Sequence, residues 1–321
     1  MIVREVKEWE YPQYERLVAE IGTLFNSNQW LDIFGKSVRR LGVYNKNNEL
    51  VGGMTVGVKC ILGVEIIMAQ PMSPGTGPFY KAKAKGYVKQ IEERRAILEA
   101  LANYIEAQRF PIVSLVFSPE LIDVLPFIWR DYKVVVRYTY RIDLSQSEED
   151  LLKGMSGDTR NMIKKAEKDG LCCTRVDNMV DVYSLLKKTF ARQKLSFSTS
   201  QEQKILFDYA KSGNSAAFVT YLNGRPSSAV FTIKDRQTCY YIMGGYDSQN
   251  KHNGAGSLAL YKAILQAKAD GCSMFDFEGS IVPQIEKYFR GFGGRLTPYF
   301  VANKAWMPIE FVLKLIKRRM F

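Results

Sequence analysis

Two stretches of this chain repeat the same order of apolar and polar runs. In the first half, Arg39-Arg-Leu-Gly-Val-Tyr44 and Glu49-Leu-Val-Gly-Gly-Met-Thr-Val-Gly-Val58 flank the polar Asn45-Lys-Asn-Asn48. Short alternating runs around a polar turn predict a β-hairpin. Residues 63–68 supply a third strand, and the Pro/Gly-rich stretch 70–77 follows. Val88, Ile91, Ile97, Leu98, Leu101 and Ile105 then fall mainly on one face of a helix over about 87–108. Pro111-Ile-Val-Ser-Leu-Val-Phe117 reads as the next strand.

The second half runs in the same order. Ala216-Ala-Phe-Val-Thr-Tyr221 and Ser228-Ala-Val-Phe-Thr-Ile233 flank Asn223-Gly224, a strong turn dipeptide. Residues 237–243 form a third strand, and a glycine turn leads into a helix over Ser257–Ala269 closed by Gly271. Ser273-Met-Phe-Asp-Phe-Glu278 reads as the next strand. The expected fold class is therefore mixed α/β with two related domains, 1–145 and 146–303. The expected junction lies near 143–149, where Ser145 and Ser147 precede acidic residues as helix caps do. Residues 304–321 form an apolar, basic tail, expected as a helix packed on the domains or lying on an anionic membrane.

Composition narrows the chemistry. At 321 residues, with 46% hydrophobic and 24% charged residues, the chain suits two globular domains. Its start lacks an apolar signal core, and no apolar run approaches the roughly 20 residues of a membrane span. A cytoplasmic protein is expected, with the inner membrane face as a possible place of work. Five cysteines without C-x-x-C spacing argue against a disulfide framework or zinc site, and each is expected in the core. The single histidine, His252, excludes a multi-histidine metal site, so no metal is expected. Catalysis must draw on carboxylates, Tyr, Lys, Arg or backbone groups. The net charge of +12 favours anionic partners such as coenzyme phosphates, tRNA or an acidic membrane. No DNA partner is expected.

The candidate chemistry gathers at Lys251-His-Asn-Gly-Ala-Gly-Ser257. A glycine turn from strand into helix leaves backbone N–H groups free at the positive end of the helix dipole, where phosphate binds. Lys251, Asn253, Gly254, Ala255, Gly256 and Ser257 are the candidate donor-binding residues; an ordinary tight turn is the alternative. Asp276 and Glu278, two apart on the expected strand, share a face and could handle an acceptor amine, or form salt bridges. Tyr246 and Tyr288 offer phenols for a leaving group or substrate, or simply pack. Arg160 shares a helical face with Lys164 and Lys168 and could meet phosphates. Arg290, beside Gly291-Phe-Gly-Gly294, could clamp a carboxylate or phosphate, or brace a hairpin.

The basic-x-x-Gly-x-Gly spacing resembles the pyrophosphate loop of the N-acetyltransferase (GNAT) superfamily. An ordered set of segments resembles its FemAB-like, or BioF2-like, branch. These are the 70–80 loop, Leu125-Pro-Phe-Ile-Trp129, Tyr138-Thr-Tyr-Arg-Ile-Asp-Leu144, Arg160-Asn-Met-Ile-Lys-Lys-Ala166, Phe275-Asp-Phe-Glu-Gly-Ser280 and Phe289-Arg-Gly-Phe-Gly293. The resemblance spans nearly the whole chain. It implies tandem GNAT-like acyl-CoA N-acyltransferase domains, with the first donor loop degenerate. It also implies transfer of an acyl group from acyl-CoA to an amine of a small molecule or cell-wall precursor. Glu278, Tyr246 and Arg290 would be catalytic; Arg160, Asp276 and Tyr288 would bind substrate. Fem peptidyltransferases instead use aminoacyl-tRNA, with a motif similar to Phe-Lys-x-Gly-Phe-Gly. This chain departs from it, with Phe289 in the lysine place and Arg290 one residue later. A Fem-type aminoacyl-tRNA-dependent transferase and a non-catalytic binding protein of the same fold remain the alternatives.

Overall fold

The computed structural model of the chain describes residues 1–193 and 200–316. Their strands are β1 (Ile2–Glu5), β2 (Val38–Tyr44), β3 (Leu50–Ile61), β4 (Val64–Ile67), β5 (Phe79–Tyr80), β6 (Ile112–Val116), β7 (Lys133–Asp143), β8 (Cys172–Val176), β9 (Ser215–Leu222), β10 (Arg225–Lys234), β11 (Thr238–Tyr246), β12 (Met274–Asp276) and β13 (Arg295–Ala305). The chain divides into two compact units. One holds Met1–Arg137 and the residues from Pro298 onward; the other holds Tyr138–Thr297.

In the first unit the order is β1-β2-β3-β4-β6-β13, with β5 paired to β3. The hairpin β2–β3 turns at Asn45, whose Oδ1 accepts from the N–H groups of Asn47 and Glu49. A side chain that mimics a backbone acceptor is why Asn initiates such turns. The helix Tyr87–Ala107 connects β4 to the parallel β6 and buries Ile97, Leu98, Leu101, Ala102 and Ile105. Val88, expected on that apolar face, is exposed because the first turns of the helix overhang the core.

The second unit has the order β8-β9-β10-β11-β12-β7. Asn223 and Gly224 both take positive φ, 51° and 73°, the geometry a two-residue hairpin turn needs. The helix Ala255–Ala269 joins β11 to the parallel β12 and buries eight residues, with Phe218 and Val230 in the same core cluster. The helix Val180–Arg192 covers the other sheet face, where Gly245 lies against the Leu185 backbone. Hairpin, strand, helix and parallel strand thus occur twice, in the same neighbour order.

The units do not follow the contiguous 1–145 and 146–303 suggested by the sequence. The strand after β6, β7, lies antiparallel to β12 from Asp143↔Met274 to Arg141↔Asp276. The strand after β12, β13, lies antiparallel to β6 from Val301↔Val116 to Ala305↔Ile112. Each unit therefore completes its sheet with the strand that sequence order assigns to the other. Ser147 caps the helix Glu148–Gly154, as expected, but Ser145 caps no helix; its N–H bonds Asp143. The expected cores for the cysteines hold for Cys239 and Cys272, whereas Cys60 and Cys172 are exposed. The helix Met307–Ile316 buries no residue, contrary to the expected packing of 304–321; residues 317–321 lie outside the described residues.

Candidate acyl-transfer site

The ladder between β11 and β12 is short. The parallel pairing of β11 with β12 runs from Thr238↔Met274 to Tyr240↔Asp276 and stops, while β11 continues to Tyr246. On its other edge β11 carries an extra residue. Phe231 faces Met243 and Thr232 faces Tyr241, so Ile242 is bulged. A bulge leaves a residue out of the ladder and re-aims its neighbours. Among the described residues no strand follows β12 along the Tyr241–Tyr246 stretch of β11. Within that stretch the Tyr246 N–H is taken by Thr189 Oγ1 and the Gly245 carbonyl accepts from Ser228 Oγ, so an extended ligand can pair only with the part nearer Tyr241.

The glycine turn that follows β11 is organised from within. The His252 Nδ1 accepts the Gly254 N–H at 3.1 Å, so its proton sits on Nε2, which donates to Asp169 at 3.0 Å. The Ala255 N–H bonds the His252 carbonyl. Two of the turn's donors are therefore used internally. The N–H groups of Gly256 and Ser257, in the first helical turn, have no partner among the described residues.

The two glycines have different tasks. Gly254 has φ −93°, which any residue adopts, but a Cβ there would sit 2.1 Å from the Met162 carbonyl oxygen and 2.9 Å from the Ala166 Cβ. Gly254 exists to seat this helix on Gly157–Lys168. A Cβ at Gly256 would meet only the Tyr288 and Ser228 hydroxyls, at 3.3 and 3.4 Å. Gly254→Val should therefore destabilise the protein by about 1–3 kcal/mol or more. Gly256→Ala should leave the melting temperature near wild type and weaken donor binding. Thermal melts with donor titration check this; an equal stability loss in both variants would contradict it.

Hydroxyls gather at the helix start. Ser257 Oγ is fully buried beside Tyr288 yet makes no hydrogen bond of acceptable geometry. Ser228 Oγ donates to the Gly245 carbonyl at 3.1 Å. Tyr241 lies along Gly244, where a Cβ would fall 1.8 Å from its hydroxyl. The Tyr288 ring packs on Phe292 at 5.3 Å, and Tyr241 on Phe289 at the same distance. Burial, then the Tyr241 phenol, push the Tyr288 hydroxyl far above the ordinary range, so it holds its proton. Tyr288 was expected as a substrate contact; its environment suits a proton donor.

The carboxylates do not share a strand face. β12 ends at Asp276, and Glu278 takes φ +62° with Gly279 at +74° behind it. Asp276 is buried and committed: Arg141 Nε lies 2.6 Å from Oδ2, Thr139 Oγ1 2.6 Å from Oδ1, and the Glu278 N–H 2.9 Å from Oδ1. Both carboxylate oxygens are thus engaged by the fold, so Asp276, expected to bind substrate, holds β7 and the Glu278 turn in place. Glu278 is half-buried. Burial pushes its carboxyl well above the usual range, the Asp276 charge pushes the same way, and Arg141 opposes both. A raised carboxyl brings its basicity nearer to neutral pH, where a base is useful.

A linkage test follows. A carboxyl whose folded pKa is raised favours folding fully below its unfolded pKa, and that advantage is lost as pH rises through the folded value. Glu278→Gln should therefore match wild type at acidic pH and become progressively more stable than wild type as pH rises above the ordinary glutamate range. Urea unfolding across pH reads the divergence; parallel curves would rule out the raised carboxyl.

The remaining candidates lie elsewhere. Tyr246 is 43% exposed, with the Arg192 guanidinium 3.8 Å from its ring centroid and its N–H bonded to Thr189 Oγ1. Arg290 pairs with Glu286 at 3.1 Å, and Glu286 also accepts the Tyr140 hydroxyl, which burial and this carboxylate push up to about 12. Arg160 Nη1 donates to the Lys153 and Met155 carbonyls, capping the preceding helix. Lys251 and Asn253 are exposed on the turn. Phe289 is core, and Gly293, at φ +80°, lies against the Gly154 carbonyl. The Phe289–Gly293 motif thus locks the second unit's fold. Sequence reading missed Ser228, Tyr241, Thr139 and Arg141; alternation flagged them only as strand residues.

These features frame the comparisons. The family model of the acetyltransferase (GNAT) domain matches residues 154–290, within the second unit and across the turn, the bulge and Tyr288. This stretch of the chain is similar to a GNAT domain. The whole chain also has the fold of FemX, with a TM-score of 0.70 at 12% identity over 99% of this chain and 100% of that one. L-PGS from Bacillus licheniformis matches at 0.59 and 10% identity, covering 99% and 98%. A conserved protein of unknown function from Bacteroides thetaiotaomicron matches at 0.61 and 11%, covering 95% and 100%. At such identities these likenesses establish the fold alone, a mixed α/β chain of two units, the second of which carries the GNAT match. No curated protein matches the sequence.

Proposed function

We propose that the GNAT domain transfers an acyl group from an activated donor to an amine. The carrying observation is the end of the β12 pairing at Tyr240, with the bulged Ile242 just beyond it, two N–H groups unpartnered among the described residues, and the Tyr288 and Ser257 hydroxyls at the helix start. An extended donor pairs with β11 just past Tyr240 and sets its carbonyl near the bulge. The amine attacks the carbonyl carbon; a C–N bond forms and the bond to the leaving sulfur or oxygen breaks. Tyr288 gives its proton to the leaving atom, and Glu278 receives the proton lost by the amine. The acceptor belongs to the amines of small molecules, cell-wall precursors or lipid headgroups.

For an acyl-CoA donor, Gly256 and Ser257 N–H groups with Lys251 hold the pyrophosphate. An aminoacyl ester on tRNA is the second reading. His252 supports it by consuming the Gly254 and Ala255 donors that a pyrophosphate would otherwise use. Calorimetric titration of the full chain with acetyl-CoA and with a hydrolysis-resistant aminoacyl-tRNA separates the two. Binding of neither would remove acyl transfer from consideration, and binding without turnover on any amine would leave a ligand-binding protein.

A further inference from the structure

The helix Met307–Ile316 wears its apolar side outward. Met307, Phe311 and Leu315 are spaced i, i+4, i+8 and form one stripe, 82%, 68% and 73% exposed. Val312 and Ile316, 51% and 71% exposed, widen it. Trp306, 53% exposed, stands at its start, and its N–H is anchored to the Pro111 carbonyl. Ile309, Glu310 and Leu313, on its other side, are half-buried. Contiguous exposed apolar surface of this kind marks an interaction site.

Charge decides what covers it. Glu310 and Lys314 neutralise each other at 2.6 Å across one turn. The sequence then reads Lys317-Arg318-Arg319 without an acidic residue, in a chain of net charge +12. A second copy would bring the same cations together and is disfavoured. An anionic bilayer offers hydrocarbon to the stripe and phosphates to the cations. Ten residues give about 15 Å of helix, half of a hydrocarbon core of about 30 Å. No helix among the described residues is long and apolar enough to cross a membrane. Tryptophan at one end suits the headgroup boundary.

We propose that the helix Met307–Ile316 and the basic run after it hold the protein on an anionic lipid surface, with the helix in the interface plane. The test is co-sedimentation of the full chain with vesicles of phosphatidylcholine alone or mixed with phosphatidylglycerol. Binding is expected to rise at least about 10-fold with the anionic lipid and to fall with added salt. Phe311→Ser with Leu315→Ser should cut it about 10-fold while melting as wild type, because both side chains are exposed. Lys317→Ala, Arg318→Ala and Arg319→Ala together should remove the preference for phosphatidylglycerol. Absence of vesicle binding overturns the proposal. So does a dimer in sedimentation velocity that the serine pair dissociates, which assigns the stripe to a second copy. Equal binding to both vesicle types removes the anionic specificity and overturns it too.

Discussion

Tyr288→Phe is expected to slow acyl transfer by roughly 10²–10⁴, the range for a positioned acid, or about 2.7–5.5 kcal/mol of barrier. The hydroxyl lies within reach of the first turn of Ala255–Ala269, and burial keeps it protonated. A leaving thiolate or alkoxide there needs a proton at the moment of bond cleavage, and a half-buried phenol held by packing on Phe289 and Phe292 supplies it without prior rearrangement. The ring keeps its packing on Phe292 in the variant, so stability should stay within about 1 kcal/mol. Single-turnover kinetics with donors of graded leaving-group basicity provide the check. Loss should be largest for the poorest leaving group. A uniform small loss, or one matched by a fall in melting temperature, would assign Tyr288 to packing.

Asp276→Ala is expected to cost about 3–5 kcal/mol of stability, because it removes the carboxylate 2.6 Å from a largely buried Arg141 guanidinium. Thr139 Oγ1 and the Glu278 N–H lose their acceptor in the same step. Asp276→Asn keeps an acceptor oxygen and should cost less. Urea unfolding measures both; a loss below about 1 kcal/mol for the alanine variant would mean that water reaches Arg141 freely. Removing the Asp276 charge also takes away one cause of the raised Glu278 carboxyl, so its titration should move toward the ordinary range. That coupling separates a positioning role for Asp276 from direct contact with substrate.

Local chemistry made much of the fold legible. Asn223-Gly224 can only be a tight turn with both φ values positive, and the flanking runs can only be strands. The glycine turn before Ala255–Ala269 was visible because helix starts leave donors free, whatever surrounds them. The tail's apolar and basic pattern was equally plain in one dimension.

What lay beyond reach was each decision made by residues far apart in the chain. Asp276 and Glu278 look equivalent by spacing, but Arg141, 135 residues away, claims one, while a positive φ turns the other out of the strand. Gly254 looked like a phosphate glycine until Met162 lay against it. The bulge at Ile242 depends on the register with β10, which no property of β11 sets alone. The crossed ends β7 and β13 fit either sheet by their own sequence, since a strand's pattern names a face and not a neighbour. Sequence determined the elements, their order and the chemistry on offer, because φ/ψ preference and side-chain period are local. Tertiary structure alone decided which groups are spent on the fold and which are left for a ligand, because burial and hydrogen-bond partners come from the whole chain.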